Sequence, residues 1–493
     1  MPEADDPPGI VHLGWRANGD GFDVALGVHR ALAAGARAWW VSSALDEAEA
    51  GDYLLALSAS QRTGLAHLGL ALADWRGEVP SDARRLTRPA VRLFAGTASQ
   101  FPYYAYYALC LLRLGIDYVP CDGASLARGT LDDANLLILP GGFATWGIDA
   151  AEDAPGADAR VRAFLAGGGA AIGSCGGAFY LSSGRPGWTG TAQAKPLYTH
   201  EYLQSGVGVV AVALSAGPLA FGCAPTMEVP YYHGPLYDVL GSGIDVAATF
   251  HALALPGRLG IDNPLDRERF ARDVAGKPAI LLASGERGRA VLFSPHPEMG
   301  DLIRKYIALD GYVRHYLPIR GAQTMRDTLR HYRAADAPSF RLVLNAIHLL
   351  LSGLDRPMSA ATNDRPARDS SRALGTGARA SGDAMALAAF CRRTLATLPA
   401  FGDDEEGNLL RDVAERIGER VTRWSGRAST ALADAAVPGD LGTALRHLAS
   451  SAAARDIAPA PIAQRLMEAE LSAALLECAT RVAECDQALA SAR

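Results

Sequence analysis

From residue 90 to residue 174 short apolar runs alternate with helical stretches, and that alternation admits few folds. Residues 90–94 (AVRLF) read as a strand, followed by a loop of small and aromatic residues from Gly96 to Tyr104 and a helix through Leu114. Residues 116–119 form the next strand, and residues 134–139 (ANLLIL) the third, running into Pro140, Gly141 and Gly142. A helix over 159–166 precedes a strand over 170–172. Elements in this order predict a parallel sheet with helices on both faces. Ligands of such sheets bind outside the carboxyl ends of the strands. Gly96, Gly141, Gly142 and Cys175 all fall there.

The strand over 170–172 runs into Gly173, Ser174, Cys175, Gly176 and Gly177, and then into an apolar helix start. A strand, a Gly-x-Cys-x-Gly turn and a helix read as a nucleophile elbow, whose small neighbours allow a strained backbone at the reactive residue. A thiolate at a helix N-terminus is favoured by the unpaired N–H groups there. Some 120 residues later comes Ser-Pro-His-Pro-Glu (294–298). His296 and Glu298 are two apart at the end of a strand, so their side chains are expected on one face. One can take the thiol proton while the other orients the ring. Together the two motifs predict a Cys175–His296–Glu298 triad.

At 493 residues the chain is too long for one core and implies two or three domains. A net charge of −6, with no strongly basic segment, argues against nucleic-acid binding. No uninterrupted apolar stretch is long enough to span a bilayer, so no membrane partner is expected. The opening MPEADDPPGI lacks the basic and apolar regions of a signal peptide. Seven cysteines without a CxxC pair or zinc spacing fit a reducing, cytoplasmic setting, and no metal or cofactor is expected.

Residues 1–88 are read as an N-terminal α/β segment of unassigned role, with strands over 10–15 and 38–43 and a helix over 22–34. Trp39 and Trp40 are expected in core and interface, and His12 and His29 are expected to be structural. Residues 207–214, 279–284 and 290–293 read as strands, the last two joined as a hairpin through GERG (285–288). The expected divisions are a domain over 89–315, a helical extension over 316–354 and a flexible linker over 355–383. A C-terminal helical bundle over 384–493 follows, with one apolar stripe from Leu409 to Trp424 and another from Met467 to Leu489. For the pocket, Tyr232 and His233 are candidates, with Gly96, Thr97, Ser99 and Gln100 from the first loop. Phe143 and Trp146 follow the Gly141–Gly142 turn and could cover the site. Tyr103 and Tyr104 are expected to begin a helix and pack.

At the elbow, the Leu-Pro-Gly-Gly turn (139–142), Tyr-Tyr-His-Gly-Pro (231–235) and His296-Pro-Glu298, the chain resembles the class I glutamine amidotransferase-like superfamily. Within it the motifs are most similar to the domain at the N-terminus of eukaryotic biotin–protein ligases. The resemblance spans roughly residues 90–315. It implies an α/β, three-layer, parallel-sheet (flavodoxin-like) domain, with Cys175 as nucleophile, His296 as general base and acid, and Glu298 as the orienting carboxylate. It also implies an oxyanion hole from the N–H of Gly176 and one from the Gly141–Gly142 turn. Glutamine-hydrolysing members place Gln four residues after the nucleophile; here Phe179 stands there, implying a more apolar pocket. The protease and deglycase branch places His directly after the nucleophile, where this chain has Gly176. No adenylate loop or P-loop motif is present, so the chain is not a biotin ligase.

Three readings of function follow. The first is a cysteine-dependent hydrolase or amidotransferase acting on a small-molecule amide or ester. The second is a glutaminase subunit passing ammonia to a synthetase docked on the N-terminal segment or the C-terminal helices. The third is a non-catalytic ligand-binding or scaffolding protein.

Overall fold

The computed structural model describes residues 9–45, 47–99, 103, 106–107, 110–111, 114–142, 146–197, 205–255, 265–299 and 338–352. They belong to one compact unit, formed by Met1–Gly257, Leu265–Asp301 and Ala334–Pro357; the rest of the chain makes a second unit. The linker expected over 355–383 and the bundle over 384–493 lie outside the described residues, as does most of the helical extension over 316–354.

The N-terminal segment builds a five-stranded antiparallel sheet. Its strands are β1 (Gly9–Leu13), β2 (Arg37–Trp40), β3 (Tyr53–Leu57), β4 (Ala73–Asp74) and β5 (Arg84–Arg85), in the order β4-β1-β3-β2-β5. The helix Asp23–Ala33 buries Val24, Val28 and Leu32, one face at helical spacing. Val11, Val28 and Leu55 share a single apolar cluster with Val91, Leu136 and Ile172, so the segment packs on the larger sheet described next. Trp40 is fully buried, its ring edge-on to Phe221, whereas Trp39 is partly exposed beneath Arg37.

The larger sheet begins with β6 (Val91–Phe94), β7 (Tyr118–Cys121), β8 (Leu136–Leu139) and β9 (Ala170–Ser174). After β10 (Ala194–Pro196) come β11 (Val207–Leu214), β12 (Thr226–Tyr232), β13 (Tyr237–Leu240), β14 (Ile244–Leu255), β15 (Pro278–Gly285) and β16 (Gly288–Phe293). Nine of these form one sheet, ordered β12-β11-β14-β15-β16-β9-β8-β6-β7, while β10 and β13 pair separately. The predicted parallel arrangement holds from β16 through β9, β8 and β6 to β7. Beyond it β15 pairs antiparallel with β16, the hairpin expected from the sequence, and β14, β11 and β12 extend the sheet antiparallel as well. A parallel crossover needs a dozen or more residues, and the tight turn between β15 and β16 leaves no length for one. That hairpin reverses the chain so that β16 runs alongside β9 in the same direction. β14, twelve residues of mixed small and polar character without clean alternation, has no counterpart among the strands expected from the sequence.

Alternation along the central strands separates two cores. Leu136, Ile138, Ala170, Ile172, Val291 and Phe293 face one cluster; Leu137, Leu139, Ala171, Ala290 and Leu292 face the other. Strands apolar on both faces are those of a sheet covered on both sides. The helix Ala157–Ala166 and the elbow helix Gly176–Leu181 cover the second face. On the first lies the helix Phe340–Leu351, buried nearly all round as its mostly apolar sequence requires. Its polar side chains are accommodated individually. Asn345 donates to the carbonyls of Leu219 (2.9 Å) and Phe221 (2.8 Å), and the Arg341 guanidinium lies 3.4 Å over the Trp15 ring.

Candidate functional site

The elbow sits where β9 hands over to the helix Gly176–Leu181. Cys175 has φ 49° and ψ −107°, a backbone that side-chain-bearing residues rarely adopt. The following turn tolerates only hydrogen at Gly177, where a Cβ would run into the Leu139 carbonyl. The Gly177 N–H donates to Pro140 O (3.1 Å) and ties the elbow to the turn after β8.

The parallel pairing of β16 with β9 sets Phe293 opposite Ser174, and the Cys175 N–H donates to Phe293 O at 2.8 Å. The chain leaving β16 therefore passes the elbow. The expectation that strand alternation aligns His296 with Glu298 is corrected. β16 ends at Phe293, and Pro297–Met299 forms a 3-10 turn. Pro295 and Pro297 have no N–H to offer a ladder, so the strand cannot continue through them. The turn brings His296 Nδ1 to 2.8 Å from Glu298 Oε1. Two contacts fix its backbone: the His296 N–H donates to Pro230 O, and Ser339 Oγ donates to Pro297 O, each at 2.8 Å.

His296 and Glu298 are completely buried. Tyr103 stacks on the imidazole (5.3 Å between centroids, 27° between planes), and Tyr232 meets it edge-on at 6.5 Å. Gly141 approaches the ring so closely that a Cβ there would overlap His296 Cε1. Ser99 Oγ donates to the Gly141 carbonyl at 3.1 Å. Because the C=O and the following N–H of a trans peptide point in opposite directions, that bond also fixes the direction of the Gly142 N–H.

Burial by itself disfavours a charged His296. The Glu298 carboxylate and the adjacent Cys175 outweigh it, and the ring is raised to about 10. A ring that favours its charged form, with Nδ1–H committed to Glu298, is suited to take a proton at Nε2. Its Nε2 is buried without a hydrogen bond of ordinary geometry among the described residues, and Cys175 is the side chain that acts on it. The Cys175 thiol donates to Tyr232 O at 3.1 Å. A buried polar nitrogen in that state is costly unless it exchanges a proton during function.

Cys175, His296, Glu298, Gly141 and Tyr232 therefore converge. Other candidate residues are engaged elsewhere. Thr97 Oγ1 lies 3.4 Å from Glu152 Oε1, which accepts the Ala98 N–H at 2.6 Å, and Gly96 abuts the same carboxylate. The Phe179 ring packs on Trp188 within the second core (5.9 Å). Trp146 is 63% exposed, and Phe143, Gln100 and Tyr104 lie outside the described residues. His233 is held at φ 52° by a reciprocal pair with Gly206, its Nδ1 accepting at 3.1 Å. Burial, then the charges of Arg269 and His296, lower it to about 4, so it is neutral.

Two residues that the motifs did not single out complete the cluster. Glu298 Oε2 accepts from Ser174 Oγ (3.0 Å), and Ser174 Oγ lies 2.6 Å from Tyr107 OH. The available signal was a lone hydroxyl ending the otherwise apolar run Ala-Ala-Ile-Gly-Ser of β9.

Residues 105–202 match the family described as the CobB/CobQ-like glutamine amidotransferase domain, a span that includes Gly141, Gly142 and Cys175 but stops short of His296. None of the curated proteins matches the chain. Among solved structures, one glutamine amidotransferase is 19% identical, covering 42% of this chain and 91% of that one at a TM-score of 0.28. Another, from Thermotoga maritima, is 12% identical, covering 52% and 96% at a TM-score of 0.36. A putative GMP synthase subunit from Thermoplasma acidophilum is 14% identical, covering 52% and 98% at a TM-score of 0.28. At these values the structural likenesses carry no argument. The family match supports membership of this region in the glutamine amidotransferase-like superfamily and an amidotransferase-like function. Among the described residues no helix is long and apolar enough to cross a membrane.

Proposed function

We propose that the protein is a cysteine-dependent amide or ester hydrolase or amidotransferase, working through an acyl-enzyme on Cys175, in the cytoplasm. The observation that carries this reading is the buried His296. Its Nδ1 is anchored on Glu298, and its Nε2 is left for Cys175, which raises the ring. His296 Nε2 takes the Cys175 thiol proton, and the resulting thiolate attacks the substrate carbonyl and forms the S–C bond. The Gly176 N–H and one N–H of the Gly141–Gly142 turn receive the oxyanion. His296 Nε2–H protonates the departing amine or alcohol as its bond to the carbonyl carbon breaks. Neutral His296 then takes a proton from water, or from a second nucleophile, whose oxygen or nitrogen replaces sulfur on the acyl carbon.

The motifs at 139–142, 173–179 and 231–235 further favour the relatives of the biotin–protein ligase N-terminal domain within the superfamily. Hydrolysis of a panel of small amides and esters, glutamine included, tests the reading. Cys175→Ala is expected to lower any measured turnover by about 1,000-fold or more. Equal rates in variant and wild type exclude it.

The family match favours a second reading, release of ammonia from glutamine for a partner synthetase. Phe179 in place of Gln weighs against it. Glutamate release only in the presence of a copurifying ATP-using partner would select this alternative.

A further inference from the structure

We propose that Ser174 and Tyr107 are positioning residues, a hydroxyl relay that clamps the far oxygen of Glu298 and so aims the His296 ring at Cys175. The inference deepens the reading of Cys175 and His296 as an acid–base pair and rests on it. Its geometry follows from which atoms can donate. The Glu298 carboxylate only accepts, so Ser174 spends its single proton on Oε2 at 3.0 Å. The bond of 2.6 Å between Ser174 Oγ and Tyr107 OH must then carry the tyrosine's proton. Each proton in the chain points toward Glu298, from Tyr107 through Ser174 on one side and from His296 Nδ1 on the other.

This arrangement does something that the His296–Glu298 contact cannot do alone. A carboxylate held through one oxygen can pivot about its side-chain torsions; held through both, it has one orientation. Ser174, Glu298 and His296 are entirely buried, as is Tyr107, so no solvent competes for these bonds. The clamp comes from independent elements. Ser174 is the last residue of β9, next to the nucleophile, while Tyr107 belongs to the helical stretch after β6. The position of the carboxylate is thereby tied to the strand that carries Cys175. A movement of the turn Pro297–Met299 alone would break the relay.

The test uses the full chain and needs no substrate. His296 is followed by NMR of the histidine-labelled protein across pH, and Cys175 by its rate of iodoacetamide alkylation over the same range. Ser174→Ala is expected to lower the His296 midpoint by about one unit or more and to slow Cys175 alkylation at pH 7 about ten-fold, the scale of one hydrogen bond to a charged group. Tyr107→Phe, which keeps the Ser174 bond and is the milder change, should move both readouts in the same direction by less. A purely structural pair would lower the melting temperature and leave the His296 midpoint and the alkylation profile where they are in wild type; that result in the two variants overturns the relay. If instead wild-type Cys175 alkylates no faster than Cys110, Cys121 or Cys223, the enzymatic reading fails. The relay is still decided by the His296 midpoints.

Discussion

Two sets of buried histidines in the same compact unit titrate in opposite directions, and the comparison separates burial from partnership. At the site, His296 has a carboxylate on Nδ1 and is raised to about 10. At the seam between the N-terminal segment and the helix Phe340–Leu351, His29 and His348 face each other and Tyr53, with no carboxylate in that chain of hydrogen bonds. His29 Nδ1–H donates to Leu114 O (2.8 Å), leaving Nε2 to accept from His348 Nε2–H (3.3 Å). His348 Nδ1 in turn accepts from Tyr53 OH (3.4 Å). Burial pushes His29 down to about 4 and His348 well below the ordinary histidine range, reinforced for His348 by the charges of His29 and Arg341. Burial penalises the charge in both places. Only an adjacent anion reverses the outcome.

The signs give each region its own pH window. His296 is raised above its ordinary 6.5, so its contribution to stability is complete below pH 6.5 and gone once pH has risen through about 10. His29 is depressed, so its contribution is present above pH 6.5 and lost as pH falls through about 4. His296 loses its contribution in alkali, and His29 loses its own in acid.

The sharpest way to break the comparison is Glu298→Gln, which leaves His296 buried without its anion. Its NMR midpoint is expected to fall by about three units or more, toward that of His29. A midpoint staying near 10 would mean that Cys175, not Glu298, holds the charge. Next in size is the acid dependence. Denaturant unfolding between pH 7 and pH 4 should show a loss on the order of 3 kcal/mol from the His29 shift. His348→Leu should cost roughly 1–3 kcal/mol at pH 7 through the partners it strands, while making that acid slope shallower. An unchanged slope would remove the seam as its origin. The smallest effect is expected of Tyr53→Phe, about 0.5–1 kcal/mol at pH 7 with the Cys175 alkylation rate untouched. A slowed thiol would show that the two regions are coupled.

The two regions also differ in how far their residues could be read in advance. At the site, small residues crowd around Cys175 because the elbow leaves no room for others, and steric necessity of that kind is visible as a local pattern. His296 and Glu298 carry a motif, although what makes them meet is a proline-directed turn rather than strand alternation. Ser174 and Tyr107 leave no comparable trace, since a hydroxyl at a strand end looks the same whether or not a carboxylate waits beneath it. At the seam His29 carried no motif, and nothing near it pointed to His348, 319 positions away.

By itself the order of apolar runs determined that a parallel sheet would form from β6 to β9, because periodicity and turn chemistry are local properties of the chain. Which strands extend that sheet antiparallel was decided by tertiary structure, as was the arrival of β16 beside β9 with the His296 turn. Hydrogen-bond ladders join segments far apart in sequence, and no local pattern records the partner. The opposite shifts of His296 and His29 were decided at the same level, by which neighbour each buried ring meets.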